Sequence, residues 1–347
     1  MPDMFLAGGE WGHRNVQRKD KKNDGDAMPS VVIAYEGFGD IQIETDTLRE
    51  GGVDVVYTRT LATAEAEAAA IDADALMVTI QPVPGELIRR MTRCKIISRV
   101  GTGLDAIDIP AATECGIWVT NVPDYSIDEV STHAISLILA YARRLPLLFE
   151  MVRTTGWYSA TMDRPAQRLA TQTLGVVGFG RIGRATASKG KGLGLRVLIY
   201  DPFVPAEAIA NQGYTSVDLN TLLAESDYFS LHSPLTPETQ QLINAQTLAQ
   251  MKPSAFLVNT SRGGLIDEAA LLAAVQRGQL AGAALDVLTV EPPAADHPFL
   301  KEPRIWLTPH NAWYSEQAKS DVRRKGAEEV VRALRGERPA NPVNQVK

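Results

Sequence analysis

The chain holds only two cysteines in 347 residues, Cys94 and Cys115. They form neither a CxxC pair nor a metal-ligand spacing, so neither a disulfide framework nor a zinc site organises the protein, and a reducing cytosol is the expected setting. Long apolar runs are missing as well. The most apolar stretch, Ala134-Ile-Ser-Leu-Ile-Leu-Ala-Tyr-Ala142, has nine residues, whereas a bilayer span takes about 20. No membrane partner is expected. Basic residues do not gather into a dominant block and the formal net charge is −6, which argues against a nucleic-acid partner. The first 27 residues, with their "RKDKKNDGD", contain no apolar core of signal-peptide length. Residues 1–29 read as a disordered extension, with Met28 as an alternative start.

What is present is enough apolar material for two lobes: 45% hydrophobic against 22% charged residues over 347 positions. From Ser30 onward, strand-like runs ("SVVIAYE", "DVVYTR", "ALMVTI", "KIISRV", "IWVTNV") alternate with helix formers such as Ala62 to Ala70 and Glu86 to Met91. Continuous apolar strands alternating with helices signal an α/β unit with a parallel sheet covered on both faces. A second series begins near Thr173 with "TLGVVGFG", "RVLIYD", "DYFSLH", "AFLVNT", "GAALDV" and "IWLTPH", and predicts a sheet of six or more strands. Between the series, Ser126-Ile-Asp-Glu129 has the spacing of a capping box, and a long helix is expected from there to Arg143 and Arg144. A last helix is expected from roughly Glu316 to Leu334, stopped by Gly336 and Pro339.

Gly178-Phe-Gly-Arg-Ile-Gly183 is a GxGxxG set between an apolar strand and a helical segment from Ile182 to Leu193. Gly178 permits the tight turn, Gly180 lets the backbone approach a pyrophosphate, and Gly183 allows close helix–strand packing. The helix start around Arg181 and Ile182 then offers free N–H groups to phosphate. Asp201 lies 18 residues beyond Gly183, where a carboxylate accepts ribose hydroxyls and repels a 2′-phosphate, so NAD is expected over NADP. His232, at the end of "SLH", is assigned to packing near the cofactor, and Thr260, closing "FLVNT", is counted with the same set.

Three further polar residues end strands of the second series: Arg262, Glu291 and His310. Arginine forks onto a carboxylate, histidine passes protons near neutrality, and an adjacent carboxylate orients the ring. Taken singly, each also fits a structural role, and spacing alone does not choose. The motifs "VVGFGRIGR", "HSPLTPET", "FLVNTSRGGLIDEAAL", "GAALDVLTVEP" and "TPHNAWYSEQA", with "RVGTGLDAIDIPAATECGIWVTNVP" in the first series, resemble the NAD-dependent D-isomer-specific 2-hydroxyacid dehydrogenases. The resemblance covers residues 30 to 345 in order.

It implies two Rossmann-like, doubly wound α/β domains. A substrate domain of residues 30–121 and 312–347 would be interrupted by a nucleotide domain of residues 122–311, with a hinge at the two crossings. It implies that His310 gives a proton to the keto oxygen of a 2-keto acid, that Arg262 binds the substrate carboxylate, and that Glu291 raises the proton affinity of His310. Backbone amides at Thr102 and Gly103 would also bind the carboxylate, and Asp286 would reach the nicotinamide carboxamide. A homodimer is implied too, in keeping with the long apolar helix after Ser126.

Trp313 and Arg99 set this sequence beside the C-terminal-binding-protein branch of that family. Trp313 either offers an apolar wall to a hydrophobic or thioether-bearing keto acid or packs the last helix; Arg99 either meets a substrate carboxylate or is a strand-end charge. The branch also carries a second reading, an NADH-sensing corepressor or scaffold.

Overall fold

In the first unit, short apolar runs enter a sheet because both of its faces are covered, and Val31, Ile33, Ala75, Met77, Ile96 and Ile97 are all fully buried. The protein is seen in a computed structural model that describes residues 28–157 and 166–346; the expected disorder of residues 1–27 lies outside them. The unit alternates strictly: β1 (Ser30–Ala34), α1 (Gln42–Glu50), β2 (Asp54–Thr58), α2 (Ala64–Asp72) and β3 (Ala75–Val78). Then follow α3 (Gly85–Arg90), β4 (Ile96–Arg99), α4 (Ile109–Glu114) and β5 (Trp118–Thr120). Its strands are parallel in the order β2-β1-β3-β4-β5.

Helix α5 (Ile127–Ala142) carries the chain across to the second unit and is followed by α6 (Leu145–Thr155). The second unit runs through β6 (Thr173–Val177), α7 (Arg181–Gly192), β7 (Arg196–Tyr200), α8 (Ala206–Ala210), β8 (Thr215–Ser216) and α9 (Leu219–Glu225). It continues through β9 (Tyr228–Leu231), α10 (Ala245–Leu248), β10 (Phe256–Asn259), α11 (Glu268–Gln276), β11 (Gly282–Leu285) and β12 (Ile305–Leu307). Its seven strands are ordered β12-β11-β10-β9-β6-β7-β8, and every pairing in both sheets is parallel.

The last helix, α12 (Glu316–Leu334), returns to the first sheet. The Ser98 hydroxyl donates to the carbonyl of Gly326 at 2.9 Å, and Val322, Ala327 and Val330 join the core around Ile33 and Met77. The closing segment lies along β5, where Asn344 accepts from the Val119 N–H (2.8 Å) and donates to the Ile117 carbonyl (2.9 Å). The second unit is thus inserted into the first.

One local expectation fails. Ser126 makes no side-chain cap at α5, and the Glu129 carboxylate, instead of reaching back, accepts the Ser315 hydroxyl at the other crossing at 2.6 Å. Ser315 in turn caps α12 at the Ala318 N–H (2.9 Å). The long helix runs as expected to Ala142, with Arg143 as its C-cap; Arg144 then adopts a left-handed conformation that opens the unforeseen α6.

Candidate active site

Both sheets change direction beside their first strand. In the second sheet β7 and β8 lie on one side of β6, and β9 to β12 on the other. Such a switch point opens a crevice at the C-terminal strand ends, and the glycine loop emerges into it. Gly178 has φ of +88°, and a Cβ there would stand 2.7 Å from the His232 carbonyl oxygen; one at Gly183 would collide with the Gly178 carbonyl. Around Gly180 nothing lies within 4 Å, and α7 begins at Arg181. The Asp201 carboxylate, closing β7, accepts the Phe179 N–H (2.7 Å) and the Phe203 N–H (2.9 Å).

His232 Nδ1 and Ser233 Oγ, whose backbone lies against Gly178, and Thr260 Oγ1, at the end of β10, are buried side-chain atoms without a hydrogen-bond partner. Buried polar atoms are ordinarily satisfied, so three orphans at the C-terminal ends of β9 and β10, on the side of the sheet where β9 neighbours β6 and its glycine loop, mark a place for a polar ligand. His232 Nε2 lies 2.9 Å from Ser230 Oγ, and burial lowers its pKa from 6.5 to about 4, keeping the ring neutral. These residues fit a dinucleotide: helix start and open glycine for phosphate, acid for ribose, and a neutral polar wall.

His310 follows β12 in a left-handed conformation, φ +52°, which non-glycine residues adopt only when the surroundings impose it. The cause is Asp286, 2% exposed at the end of β11. It accepts the Thr308 hydroxyl at 2.5 Å and the N–H groups of Asn311 and Ala312, each at 2.9 Å. The backbone N–H of His310 donates to the Asp286 carbonyl (2.9 Å). His133, from α5, brings its Nε2 to 3.1 Å from the same Thr308 hydroxyl. Sequence reasoning assigns Asp286 to the nicotinamide carboxamide; in the structure its carboxylate clamps the turn that presents His310.

The imidazole so presented puts Nδ1 2.6 Å from Glu291 Oε2, which leaves Nε2 as its other proton-carrying atom. Glu291 Oε1 accepts the Leu288 N–H at 2.8 Å. Burial pushes the Glu291 carboxyl up, but the bonds from His310 and Leu288 outweigh it and hold it below the ordinary glutamate range.

The third member reaches across from β10. Arg262 donates from Nε to Asp105 Oδ2 (3.0 Å) and from Nη1 to the Ser261 carbonyl (2.7 Å), and its guanidinium stands so close to Gly103 that a Cβ there would collide with it. The second sheet thereby meets the "VGTG" loop of the first. Arg99, at the end of β4, folds over Gly101 and donates to the Val100 carbonyl at 3.1 Å, while its Nε is buried without a partner. Burial, joined by the Arg262 charge, lowers its proton affinity below the ordinary arginine range. Thr102 donates its hydroxyl to the Val122 carbonyl (3.2 Å), and its own carbonyl accepts from Asn121 (2.7 Å). Two guanidiniums face one carboxylate, Asp105, and that surplus positive charge suits an anion.

Trp313 packs edge-on against Phe38 (6.0 Å between centroids) and Tyr314 (5.7 Å), and tilted against Tyr125 (6.1 Å). The motifs of the sequence do not single out Asp105, Tyr125, Phe38, Thr308 or His133. Asp105 had a signal, since it stands two residues after the loop "VGTG"; the aromatics had none, being far apart in sequence. Among the described residues no group of His, Cys, Asp and Glu could hold a metal ion, and no helix is long and apolar enough to cross a membrane.

Comparison with known proteins bears on this arrangement. Residues 135–312 match the family model described as "D-isomer specific 2-hydroxyacid dehydrogenase, NAD binding domain". A D-3-phosphoglycerate dehydrogenase of Synechocystis sp. is 38% identical over 309 residues, 86% of this chain and 55% of the relative. The chain thus spans about half the length of the phosphoglycerate dehydrogenases it matches. A glyoxylate reductase of Korarchaeum cryptofilum is 39% identical over 277 residues, 79% of this chain and 83% of the relative. A D-lactate dehydrogenase of Aquifex aeolicus, solved with NAD and lactic acid, superposes with a TM-score of 0.83 at 29% identity, covering 91% of this chain and all of that one. The chain belongs to the D-isomer specific 2-hydroxyacid dehydrogenase family.

Proposed function

We propose that the chain is an NAD-dependent oxidoreductase that interconverts a 2-keto acid and a D-2-hydroxy acid. The observation that carries this reading is the 2.6 Å contact between His310 Nδ1 and Glu291 Oε2, with Arg262 near enough for its charge to act on the same carboxylate. The glycine loop (residues 178–183), the start of α7 and Asp201 would hold the NAD, which would supply the hydride for the keto carbon. His310 gives the proton from Nε2 to the keto oxygen and recovers it in the reverse direction, while Glu291 holds the ring and stabilises the imidazolium. Arg262, Arg99 and the amides at Thr102 and Gly103 hold the carboxylate; Asp105, now paired with Arg262, gives way to it. Asp201 selects NAD by accepting the ribose hydroxyls, and His232 and Thr260 offer the cofactor a neutral polar wall.

Residues 30–121 with 312–347 form the substrate unit and residues 122–311 the nucleotide unit, with the hinge at the Glu129–Ser315 contact. Support comes from the return of α12 to the first sheet. The Trp313 indole and its aromatic partners favour a keto acid with an apolar or thioether side chain. Arg99 and "HNAWYSEQA" favour the C-terminal-binding-protein-like branch; the relatives named above are dehydrogenases and a reductase, and the corepressor reading gains nothing from them. A homodimer is supported by α6, which buries no residue of its own and exposes Leu147, Phe149 and Val152. Light scattering at micromolar protein tests it, and a monomer mass would overturn it. An exposed free thiol at Cys115 suits a cytoplasmic location.

The activity is tested by following NADH and NADPH oxidation with a panel of 2-keto acids. The expected result is turnover with NADH, best for an apolar side chain; tight NADH binding without turnover on any acid would overturn the reading.

A further inference from the structure

The first sheet has a switch point of its own. Strand β2 lies on one side of β1 and β3 to β5 on the other, so the loop after β1 opens into a crevice at the strand ends. That loop, Glu36-Gly-Phe-Gly-Asp-Ile41, is absorbed by neither the cofactor site nor the catalytic residues. The geometry points to Phe38 as a residue that determines specificity: acting through Trp313, it sets the apolar wall against which the substrate side chain rests. The inference rests on the 2-keto acid reading above.

Three observations meet at this ring. Phe38 stands edge-on to Trp313, three residues beyond His310, and Trp313 also leans on Tyr125. Tyr125 is near enough to Arg99 and Arg262 for both charges to act on its phenol, although burial dominates and raises its pKa. Tyr125 thus links Trp313 to the two guanidiniums, and Trp313, three residues from His310, is the middle panel of the wall inferred between them. A carboxylate held by the arginines and a carbonyl offered to His310 leave the third substituent of the keto carbon facing that panel.

Behind the panel, Phe38 is fixed on one side and free on the other. The Arg323 guanidinium of α12 lies 5.8 Å from its ring centroid. Arg323 is 3% exposed and is bonded to Glu44 through Nε (2.8 Å) and Nη2 (2.7 Å), and to the Asp40 carboxylate (2.9 Å). Tyr35 donates to the same Glu44 at 2.7 Å. This network, joining residues 283 positions apart, pins the C-terminal foot of the loop. Its other part is open: Gly37 (φ +108°) and Gly39 (φ +90°) have no neighbour within 4 Å of a built Cβ, and a cavity of about 320 Å³ lies beside them, lined in part by Tyr57 and Arg59. The backing ring is thus anchored through Arg323 and carried on a loop with room to move. A substrate with a branched or aromatic side chain can press the panel back against Phe38, while a substrate lacking a side chain never reaches it.

The experiment compares kcat and KM for 4-methyl-2-oxopentanoate and glyoxylate in the wild type, Phe38→Ala and Phe38→Leu, with NADH affinity measured by fluorescence titration. In Phe38→Ala, KM for the branched acid should rise about three- to tenfold, the worth of one aromatic pair. Glyoxylate KM, glyoxylate kcat and NADH affinity should stay unchanged, and Phe38→Leu should recover part of the loss. Equal shifts for both acids, or no shift in their ratio while the wild type turns over both, would overturn the role of Phe38 and leave the dehydrogenase reading standing. A wild type that turns over neither acid would take down both together. A Phe38→Ala chain that fails to fold shifts the decision to Phe38→Leu, where a lowered preference for the branched acid supports the assignment and an unchanged preference rejects it.

Discussion

The two switch points of this molecule share a topology and differ in almost everything placed on it. In the second sheet the crevice is lined by a glycine loop with backbone within reach, a helix start, and three polar atoms left without partners. In the first sheet the equivalent crevice is lined by an aromatic ring, Phe38, and the polar groups beside it are spent on one another in the Arg323–Glu44–Tyr35 network. One crevice is prepared to receive a polar ligand and the other to support a wall. The same arrangement of strands therefore dictates where a ligand can lie, while the loop residues dictate what it is.

The sharpest way to break the comparison is at the contact between the two units. Arg262→Ala removes the guanidinium that reaches from β10 to Gly103 and should lower kcat/KM on the order of a thousandfold with NADH affinity unchanged. Steady-state kinetics beside a fluorescence titration would show it; equal losses in both would make Arg262 structural. Glu291→Gln keeps a hydrogen-bonding shape at His310 Nδ1 and removes the charge, and kcat should fall on the order of a hundredfold. The pH dependence sharpens the same point. The Glu291 carboxyl is held below its ordinary range, so its ionised pairing with His310 is complete above that range and is lost only as the pH falls through the depressed value. An acid limb of kcat/KM that Glu291→Gln leaves unaltered would contradict this.

On the nucleotide side, Asp201→Ala should improve NADPH use relative to NADH by about tenfold, because a single repelling carboxylate is removed. The ratio of kcat/KM values for the two cofactors reports it. The smallest effect concerns stability. His232 titrates near 6.5 when unfolded and at about 4 when folded, so below about 6.5 the unfolded chain takes up a proton that the folded one refuses. Stability is full above the unfolded value and falls as the pH drops toward about 4. Thermal melts across that window should slope more steeply for the wild type than for His232→Asn.

The sequence displayed the nucleotide side better than the acid side, for a physical reason. Gly178 to Gly183 and Asp201 belong to one β-α-β passage, so local spacing carries their geometry; the observed α7 and β7 fall within a residue or so of the expected bounds. Helix α12 was legible for the same reason, its Ser315 cap and Gly336 stop being local signals. The capping box at Ser126 misled because Glu129 has a partner 186 residues away. Phe38 and His133 were invisible as site neighbours because each meets its partner only through the return of the chain. The left-handed turn at His310 was equally hidden, since Asp286, 24 residues earlier, imposes it.

The central claim, that His310 is the proton donor of a hydride-transfer site, is tested most directly with His310→Ala. One sample gives the rate of NADH oxidation under saturating 2-keto acid and the NADH dissociation constant by fluorescence. Turnover reduced on the order of a thousandfold, with that constant unchanged, is the predicted result. Turnover retained within a few-fold of the wild type would contradict it.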